Sequence, residues 1–322
     1  SFLFAGINEG SGSEQSKAGN IDINATNTIN LSQSDITNQV QIDATGQAGD
    51  VNISTSRLEV ENGSRIIAAT RGEGSGGNLN IDALDVELIR GEGSLTGLFV
   101  QVRSESTGGD AGDLTLKANT LLVLDGGRVD TSTFAVGNGG TINIEAKDVQ
   151  VIGSTPGGTY SRLIAGTSSN STGDAGDLNL KTNTLLIKDG GRVSTNTLAV
   201  GKGGTINLEA QDVQVIGSTP SGRYSRLIAQ ANRNSTGDAG DLNLKTNTLL
   251  IKDGGRVSTN TLAVGKGGII NIEAEDVRVI GRSKDFQNTV SGLFVSADQN
   301  SAGDAGNLTI KTNTLLVRDG HR

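Results

Sequence analysis

Carboxylates are the first candidates for chemistry in this chain. Asp110 and Asp113 lie three residues apart in the motif GDAGDL, and the same motif or its variant GDAGNL recurs along the chain. Copies begin at Gly109, Gly173, Gly237 and Gly303. Calcium takes about six to eight oxygen ligands, and the tandem nonapeptide of calcium-binding repeats is not found in the sequence. We therefore predict that these aspartates accept hydrogen bonds from backbone N–H groups in turns, and that the chain holds no metal or other cofactor.

Paired carboxylates are also the minimum equipment for glycoside hydrolysis. Here the acids recur with the repeat, aromatic residues make up only 2% of the chain, and the single histidine is His321. A catalytic site needs a constellation that interrupts the repeat, and the sequence contains none. We expect no enzymatic activity and no catalytic residue.

Threonine triplets of the form TxT suggest a third chemistry, ice binding. They occur at 131–133, 195–197 and 259–261. An ice-binding face needs such triplets at every repeat, whereas these appear at every second one. We interpret them as β-branched residues that fill strands.

Four longer segments depart from the repeat at equivalent positions, and they carry both tyrosines. They are GEGSLTG (91–97), STPGGTYSR (154–162), STPSGRYSR (218–226) and RSKDFQNTVSG (282–292). Binding residues often lie on variable loops of a rigid scaffold. We predict surface contacts through Tyr160, Arg162, Tyr224 and Arg226, with Phe286 as a further exposed aromatic. The alternative, that these loops only complete a turn, stays open.

Short apolar runs indicate the elements that position these residues. Runs such as LNL, INL and VQV alternate apolar and polar residues, which is the period of a β-strand. Gly, Asn and Asp follow each run and mark turns, where a positive φ costs little. Each unit therefore predicts three short strands joined by turns, which form one coil of a solenoid. Helical solenoids and propellers fit the period and the unit lengths less well.

The coils alternate between 28 and about 36 residues, and they share one register. Nine complete coils start at Ala18, Ala48, Gly76, Ala111, Gly139, Ala175, Gly203, Ala239 and Gly267. Stacking at the inter-strand distance of about 4.8 Å gives a rod on the order of 45 Å long. The sequence predicts an all-β parallel β-helix of about nine to ten coils, in which each coil buries its apolar face against its neighbours.

Side-chain columns support this stacking. Before each coil start, a turn column reads Asp110, Asn138, Asp174, Lys202, Asp238, Lys266 and Asp304. After the first run, a second column reads Lys117, Glu145, Lys181, Glu209, Lys245, Glu273 and Lys311. Identical stacked coils would place like charges opposite each other, so alternation favours one register. An outward amide and hydroxyl ladder is predicted at Asn52, Asn80, Thr115, Asn143, Asn179, Asn207, Asn243, Asn271 and Thr309.

Composition excludes several classes of protein. The chain has 322 residues, a net charge of −8, 47 glycines and no cysteine. It lacks the basic surface and the stacking aromatics of nucleic-acid binding, so we expect no nucleic-acid partner. No apolar run approaches the roughly 18 residues of a membrane span, so we expect no membrane insertion.

The whole chain, 1–322, is expected to be one β-helix segment cut from a longer protein. Residues 1–4 match 291–294, and LLVRDGHR (315–322) stops where LLIKDGGR (185–192) continues. The coils of residues 1–110 are divergent, whereas residues 111–322 hold near-identical two-coil repeats. The identity is complete from 170–204 to 234–268.

The pattern AG(D/N)LxLxT…LLxxDGGRVSTxTxxxGxGGxIxI resembles the repeat arrays of filamentous-haemagglutinin-like bacterial exoproteins. The resemblance covers essentially the whole chain. It implies a right-handed parallel β-helix outside the cell, secreted by the two-partner route through an outer-membrane transporter. The secretion domain of that family is not visible in this sequence.

The resemblance implies a structural segment of a cell-surface fibre or adhesin, with surface glycans or other cells as partners. Two alternatives stay open. One is a sheath or matrix component without a ligand, and the other is the non-catalytic stalk of a carbohydrate-active β-helix protein.

Overall fold

The computed structural model describes residues 1–91, 95–155, 157–284, 288–298 and 301–320. These residues form 23 strands and no helix. Almost all strands belong to two long sheets, of 10 and 11 strands, in which every pairing is parallel. The predicted parallel β-helix is thus confirmed. No helix in the described part of the chain is long and apolar enough to cross a membrane.

The strands of the first coils are less uniform in length than those that follow. They are β1 (Phe2–Ile7), β2 (Gly12–Lys17), β3 (Ile21–Ser32), β4 (Asp35–Val40), β5 (Thr45–Gln47), β6 (Val51–Glu61), β7 (Arg65–Thr70), β8 (Leu79–Ile89) and β9 (Gly97–Phe99). The later strands are β10 (Leu114–Leu124), β11 (Arg128–Asp130), β12 (Ile142–Ile152), β13 (Arg162–Ile164), β14 (Leu178–Lys188), β15 (Arg192–Ser194), β16 (Ile206–Glu209), β17 (Asp212–Ile216), β18 (Arg226–Ile228), β19 (Leu242–Lys252), β20 (Arg256–Ser258), β21 (Ile270–Ile280), β22 (Gly292–Phe294) and β23 (Leu308–Arg318).

One coil consists of a long strand, a tight corner and a short strand. In β14, Leu178 and Leu180 point inward, the alternation shifts at Asn183, and Leu185 and Ile187 point inward again. The two runs that the sequence indicated as separate strands are therefore one continuous strand with a bend. Only one coil interrupts it, between β16 and β17.

A corner of two left-handed residues ends the long strand. In the coil of β14 these are Asp189 (φ 50°) and Gly190 (φ 88°), after which β15 begins at Arg192. Asp tolerates this conformation better than most residues, and Gly adopts it without a steric penalty. The third side of the coil has only single bridges between neighbouring coils, such as Thr197 with Ala231.

The core is one continuous column of aliphatic side chains. A single cluster of buried Leu, Ile, Val and Ala extends from Ile36 to Val279. Long strands supply Leu178 and Leu185, and short strands supply Val193 and its equivalents. No coil could bury these faces alone, so the stack of coils is the folding unit.

Two columns of glycine bring neighbouring coils into close contact in the turns that precede the long strands. A Cβ on any upper member would overlap the carbonyl oxygen of the glycine below it. One column contains Gly49, Gly77, Gly112, Gly140, Gly176, Gly204, Gly240, Gly268 and Gly306. The other contains Gly46, Gly74, Gly109, Gly137, Gly173, Gly201, Gly237, Gly265 and Gly303. We call them the glycine columns.

The threonine triplets hold these glycines in place. Thr195 Oγ1 donates to the carbonyl of Gly204 at 2.5 Å, and Thr197 Oγ1 donates to that of Gly201 at 2.6 Å. Both threonines are fully buried. The predicted strand filling is therefore wrong: β15 ends at Ser194, Thr197 forms only a single bridge, and both hydroxyls bond to the glycine turns. Neither hydroxyl is accessible to a surface such as ice.

The aspartates of the GDAGDL motif bond to the turn of the next coil. The Asp174 carboxylate accepts from the Lys202 N–H at 2.7 Å, and the Asp177 carboxylate accepts from the Thr205 N–H at 2.7 Å. The predicted turn chemistry is confirmed, with the refinement that the bonds join two coils. In the described part of the chain, no group of three or more His, Cys, Asp or Glu side chains could hold a metal ion.

The predicted amide ladder is present on the outer face of the long strands. Asn179 donates to Asn143 at 2.9 Å, Asn207 to Asn179 at 2.9 Å, and Asn243 to Asn207 at 3.0 Å. Thr115 separates this ladder from a shorter one in which Asn80 donates to Asn52 at 2.8 Å.

The alternating Lys and Glu column is in the predicted register. Lys181 pairs with Glu145 on one side and with Glu209 on the other. None of the ion pairs within 4.0 Å that the described residues form joins members of this column. Any effect of the column on register must therefore come from alternating charge in exposed side chains and not from contact ion pairs.

Candidate functional site

The two tyrosine-bearing loops leave the coil at the corner and close on themselves. Ser154 and Tyr160 form an antiparallel bridge, and the Thr155 N–H donates to the carbonyl of Thr159 at 2.9 Å. Ser161 Oγ donates to the carbonyl of Ile152 at 2.6 Å, which ties the end of the loop to its start. The extra residues of the loop are thereby kept out of the parallel strand pairing between coils.

The second loop repeats this construction. Ser218 and Tyr224 form the antiparallel bridge, and Ser225 Oγ donates to the carbonyl of Ile216 at 2.7 Å. In both loops the same serine also accepts a backbone N–H of the preceding coil; for Ser225 the donor is Gly190, at 3.1 Å. The loops are therefore anchored to the rod at both ends.

The two loops contact each other across the intervening coil. Arg223 reaches from the second loop to the first, where its guanidinium donates to the Tyr160 hydroxyl. The guanidinium carbon of Arg223 also lies 4.9 Å from the centre of the Tyr160 ring. The predicted row of loops is thus a connected surface.

All four predicted contact residues lie on this surface, and all are half-buried. The guanidinium carbon of Arg226 is 3.9 Å from the centre of the Tyr224 ring, whereas that of Arg162 is 5.9 Å from Tyr160. Both tyrosine rings therefore already contact cations of this chain. Such contacts hold the guanidinium planes in a fixed orientation.

Sequence reasoning found only two members of a longer column of arginines. Each short strand from β11 to β20 begins with Arg, and the register places these residues directly opposite one another in successive coils. We call this column the arginine ladder; it consists of Arg128, Arg162, Arg192, Arg226 and Arg256. Adjacent members are one coil apart, or about 4.8 Å between backbones.

Electrostatics distinguishes this ladder from the alternating Lys and Glu column. Burial, with the charge of the neighbouring Arg128 as a second cause, lowers the pKa of Arg162 to about 10. Burial also lowers the pKa of Arg192 to about 10, with Arg226 and Arg162 as additional causes. The pKa of Arg256 is lowered as well, again mainly by burial. Like charges are here stacked without alternation.

Few acceptors compensate these cations. Asp130 pairs with Arg128 at 3.2 Å, and Ser194 Oγ accepts from Arg192 Nε at 3.2 Å. The Nε atoms of Arg128, Arg162 and Arg256 are buried and have no hydrogen-bond partner among the described residues. The ladder is thus a strip of cations whose donors are only partly used.

The other two predicted loops flank the ladder. Residues 92–94 and 285–287, including the predicted exposed aromatic Phe286, lie outside the described residues. Glycines occupy the ladder position at Gly97 and Gly292. Beyond Arg256, the ring of Phe294 lies 4.8 Å from its guanidinium carbon.

A separate shallow groove of about 650 Å³ runs along the long strands. It lies between the amide ladder and the Lys and Glu column, and it includes Asn179, Lys181 and Glu209. Its lining repeats from coil to coil, so it presents no single constellation of side chains.

Comparison with known proteins gives no relative: no family model matches the chain, and neither a curated protein nor a solved structure matches it significantly.

Proposed function

We propose that the chain is a non-catalytic segment of a secreted cell-surface fibre or adhesin, which projects a binding surface or mediates attachment. One observation carries this proposal: ten in-register coils share one unbroken core and display anchored loops at a repeated position. Such a stack can be extended by adding coils, which is the requirement for a fibre.

Attachment is assigned to the loop-bearing face. Tyr160 and Arg162 are repeated two coils later by Tyr224 and Arg226, about 10 Å along the rod. Repeated groups at a fixed spacing raise avidity without tight individual contacts. The proposed partners are surface glycans or other cells, with neighbouring coils of the same long chain as the structural partners.

The route of export rests on the family resemblance. The repeat pattern is similar to that of filamentous-haemagglutinin-like exoproteins, which implies two-partner secretion through an outer-membrane transporter. The proposed location is therefore the cell surface or the extracellular space.

A second candidate is a ligand-free sheath or matrix component. The contact between Arg223 and Tyr160 favours it, because that contact uses loop side chains to brace the rod. A stalk of a carbohydrate-active protein fits the same architecture, with catalysis located in another part of a longer chain.

Adhesion of the isolated chain to cells and to a glycan array tests the proposal. The variant carries Tyr160→Ala, Arg162→Ala, Tyr224→Ala and Arg226→Ala. The control variant carries Lys147→Ala, Asn183→Ala, Lys202→Ala and Asn247→Ala, which removes the same number of cations from exposed positions elsewhere. We expect the parent and the control to adhere and the loop variant to lose adhesion.

Equal adhesion by the loop variant and the parent would move the binding surface to another face. Absence of adhesion by all three proteins would favour the sheath. Thermal unfolding of each protein confirms that a loss is not due to unfolding.

A further inference from the structure

We infer that the arginine ladder is a binding site for a linear acidic polysaccharide, with the carboxylates of successive uronic acid units held by successive guanidinium groups. This inference rests on the proposed function, because it assigns a ligand class to the loop-bearing face. It adds Arg128, Arg192, Arg256 and Arg223, which the sequence alone did not single out.

The first argument is that the chain's own carboxylates do not balance the positive charge of the arginine ladder. The chain carries a net charge of −8, yet five arginines are stacked in one column, with Arg223 beside them. Asp130 is the one carboxylate of the described residues in ion-pair contact with the ladder. Like charges directly opposite each other are destabilising, so a ligand that neutralises them gains affinity from that relief.

Unused donors are the second argument. Among the described residues, Arg162 and Arg226 donate no side-chain hydrogen bond, and the terminal nitrogens of Arg128 donate one, to Asp130. The Nε atoms of Arg128, Arg162 and Arg256 are buried, so a ligand must bind the terminal nitrogens of these guanidinium groups. A guanidinium presents a planar fork of donors that matches a carboxylate with two parallel hydrogen bonds. Stacking on Tyr160 and Tyr224 holds several of these planes in place before a ligand arrives.

The regular spacing argues for a polymer. Each coil contributes one arginine, and the backbones of successive members are about 4.8 Å apart along the rod. Separate small anions bound at this distance would repel each other, whereas the charges of a linear polymer are already fixed in a row. Each further unit binds at a high effective concentration, so affinity must rise with the length of the oligosaccharide.

The aromatic residues favour carboxylates over the phosphates of a nucleic acid. Single-stranded nucleic acids bind to proteins through bases stacked on free aromatic rings. Here both tyrosine rings are half-buried against guanidinium groups, the Tyr160 hydroxyl accepts from Arg223, and the chain contains only 2% aromatic residues. A polyuronate needs no such stacking platform.

Calorimetric titration of the whole chain with oligogalacturonates of increasing length tests the inference. Neutral dextran oligosaccharides of matched length and an oligothymidylate are the comparison ligands. We expect binding of the oligogalacturonates only, with an affinity that rises with length and falls with salt.

The ladder variant carries Arg162→Gln, Arg192→Gln and Arg226→Gln. Its control carries Lys147→Gln, Lys202→Gln and Lys266→Gln, which gives the same net charge through changes at exposed positions. We expect the ladder variant to lose about tenfold or more in affinity, because charge-assisted bidentate bonds are lost, and the lysine control to keep the affinity of the parent within about twofold.

A further variant, with the same three arginines replaced by Lys, keeps the charge but lacks the planar fork. An intermediate loss is expected for it. The inference is overturned if the parent binds no oligogalacturonate, if the lysine control loses as much as the ladder variant, or if dextran or oligothymidylate binds equally well.

Failure of this inference and failure of the proposed function are distinguishable. Adhesion to cells without oligogalacturonate binding would leave the fibre proposal in place and remove the acidic polysaccharide. Oligogalacturonate binding without cell adhesion would support the ladder and contradict an adhesive role.

Discussion

At the scale of single residues, the chain uses two opposite solutions for stacked charges. Lys181 lies between Glu145 and Glu209, so each neighbour is of opposite sign. Arg192 lies between Arg162 and Arg226, so each neighbour is of the same sign. The second arrangement is costly and is expected at a position retained for binding.

Replacement of Arg192 by Gln should therefore stabilise the protein at neutral pH and low salt. Burial lowers the pKa of Arg192 in the folded chain to about 10, well below its ordinary value. Below pH 10 the side chain is charged in both the folded and the unfolded state, so the cost to folding is fully present at neutral pH. We expect a gain of about 1 kcal/mol in the free energy of unfolding, measured by chemical denaturation.

The gain should shrink with salt, because screening weakens the repulsion. It should also shrink above pH 10, where the folded protein releases the proton before the unfolded chain does. Lys202→Gln removes the same charge from an exposed turn and should change stability by less than about 0.5 kcal/mol. A destabilised Arg192→Gln variant would contradict this account of the ladder.

At the scale of elements, close stacking of the coils depends on the glycine columns. The substitution Gly204→Ala tests this dependence, because a Cβ at position 204 would overlap the carbonyl oxygen of Gly176. The overlapping atom belongs to the backbone, so no side chain can rotate away to relieve the overlap. The backbones of the two coils must therefore move apart. We expect the free energy of unfolding, measured by thermal or chemical denaturation, to fall by about 3 kcal/mol or more.

Gly157→Ala is the matched control. Gly157 lies in the first tyrosine loop, and the nearest atom to a Cβ there is Thr155 Oγ1 at 3.8 Å. Its stability should stay within about 0.5 kcal/mol of the parent. Equal losses in both variants would show that glycine flexibility, and not close stacking, explains the columns.

The strands, the coil register and the turn aspartates were predictable because they depend on local periodicity. The arginine ladder was not predictable, because the number of residues between the long strand and the arginine differs between coils. Arg192 follows the end of β14 directly after the corner, whereas Arg162 follows β12 only after the whole loop. The bridge between Ser154 and Tyr160 closes the loop and keeps it out of the strand pairing between coils. This bridge is a tertiary contact, so local periodicity does not predict it. The signal was the Arg that begins each RVD, RLI or RVS strand.

The continuity of the long strand was also missed. The sequence shows a polar segment between two apolar runs, which is typical of a turn. In β14 that segment stays bonded to the neighbouring coil. Thr182 points inward, and its Oγ1 donates to the carbonyl of Lys147 at 2.9 Å. Pairing with the coils above and below thus overrides the local preference for a turn.

At the scale of the whole molecule, the structure is a stack whose length is set by the number of coils. Residues 175–238 form one two-coil unit, and the following unit begins in the same register at Ala239. Each unit contacts only its neighbours, so an additional copy should fit between them without strain.

Insertion of a second copy of residues 175–238 after position 238, followed by small-angle X-ray scattering, tests this central claim most directly. Two further coils should lengthen the particle by about 10 Å and leave the cross-sectional radius of gyration unchanged. A particle that grows equally in all directions, or one in which the inserted copy is unfolded, would contradict the stacked rod.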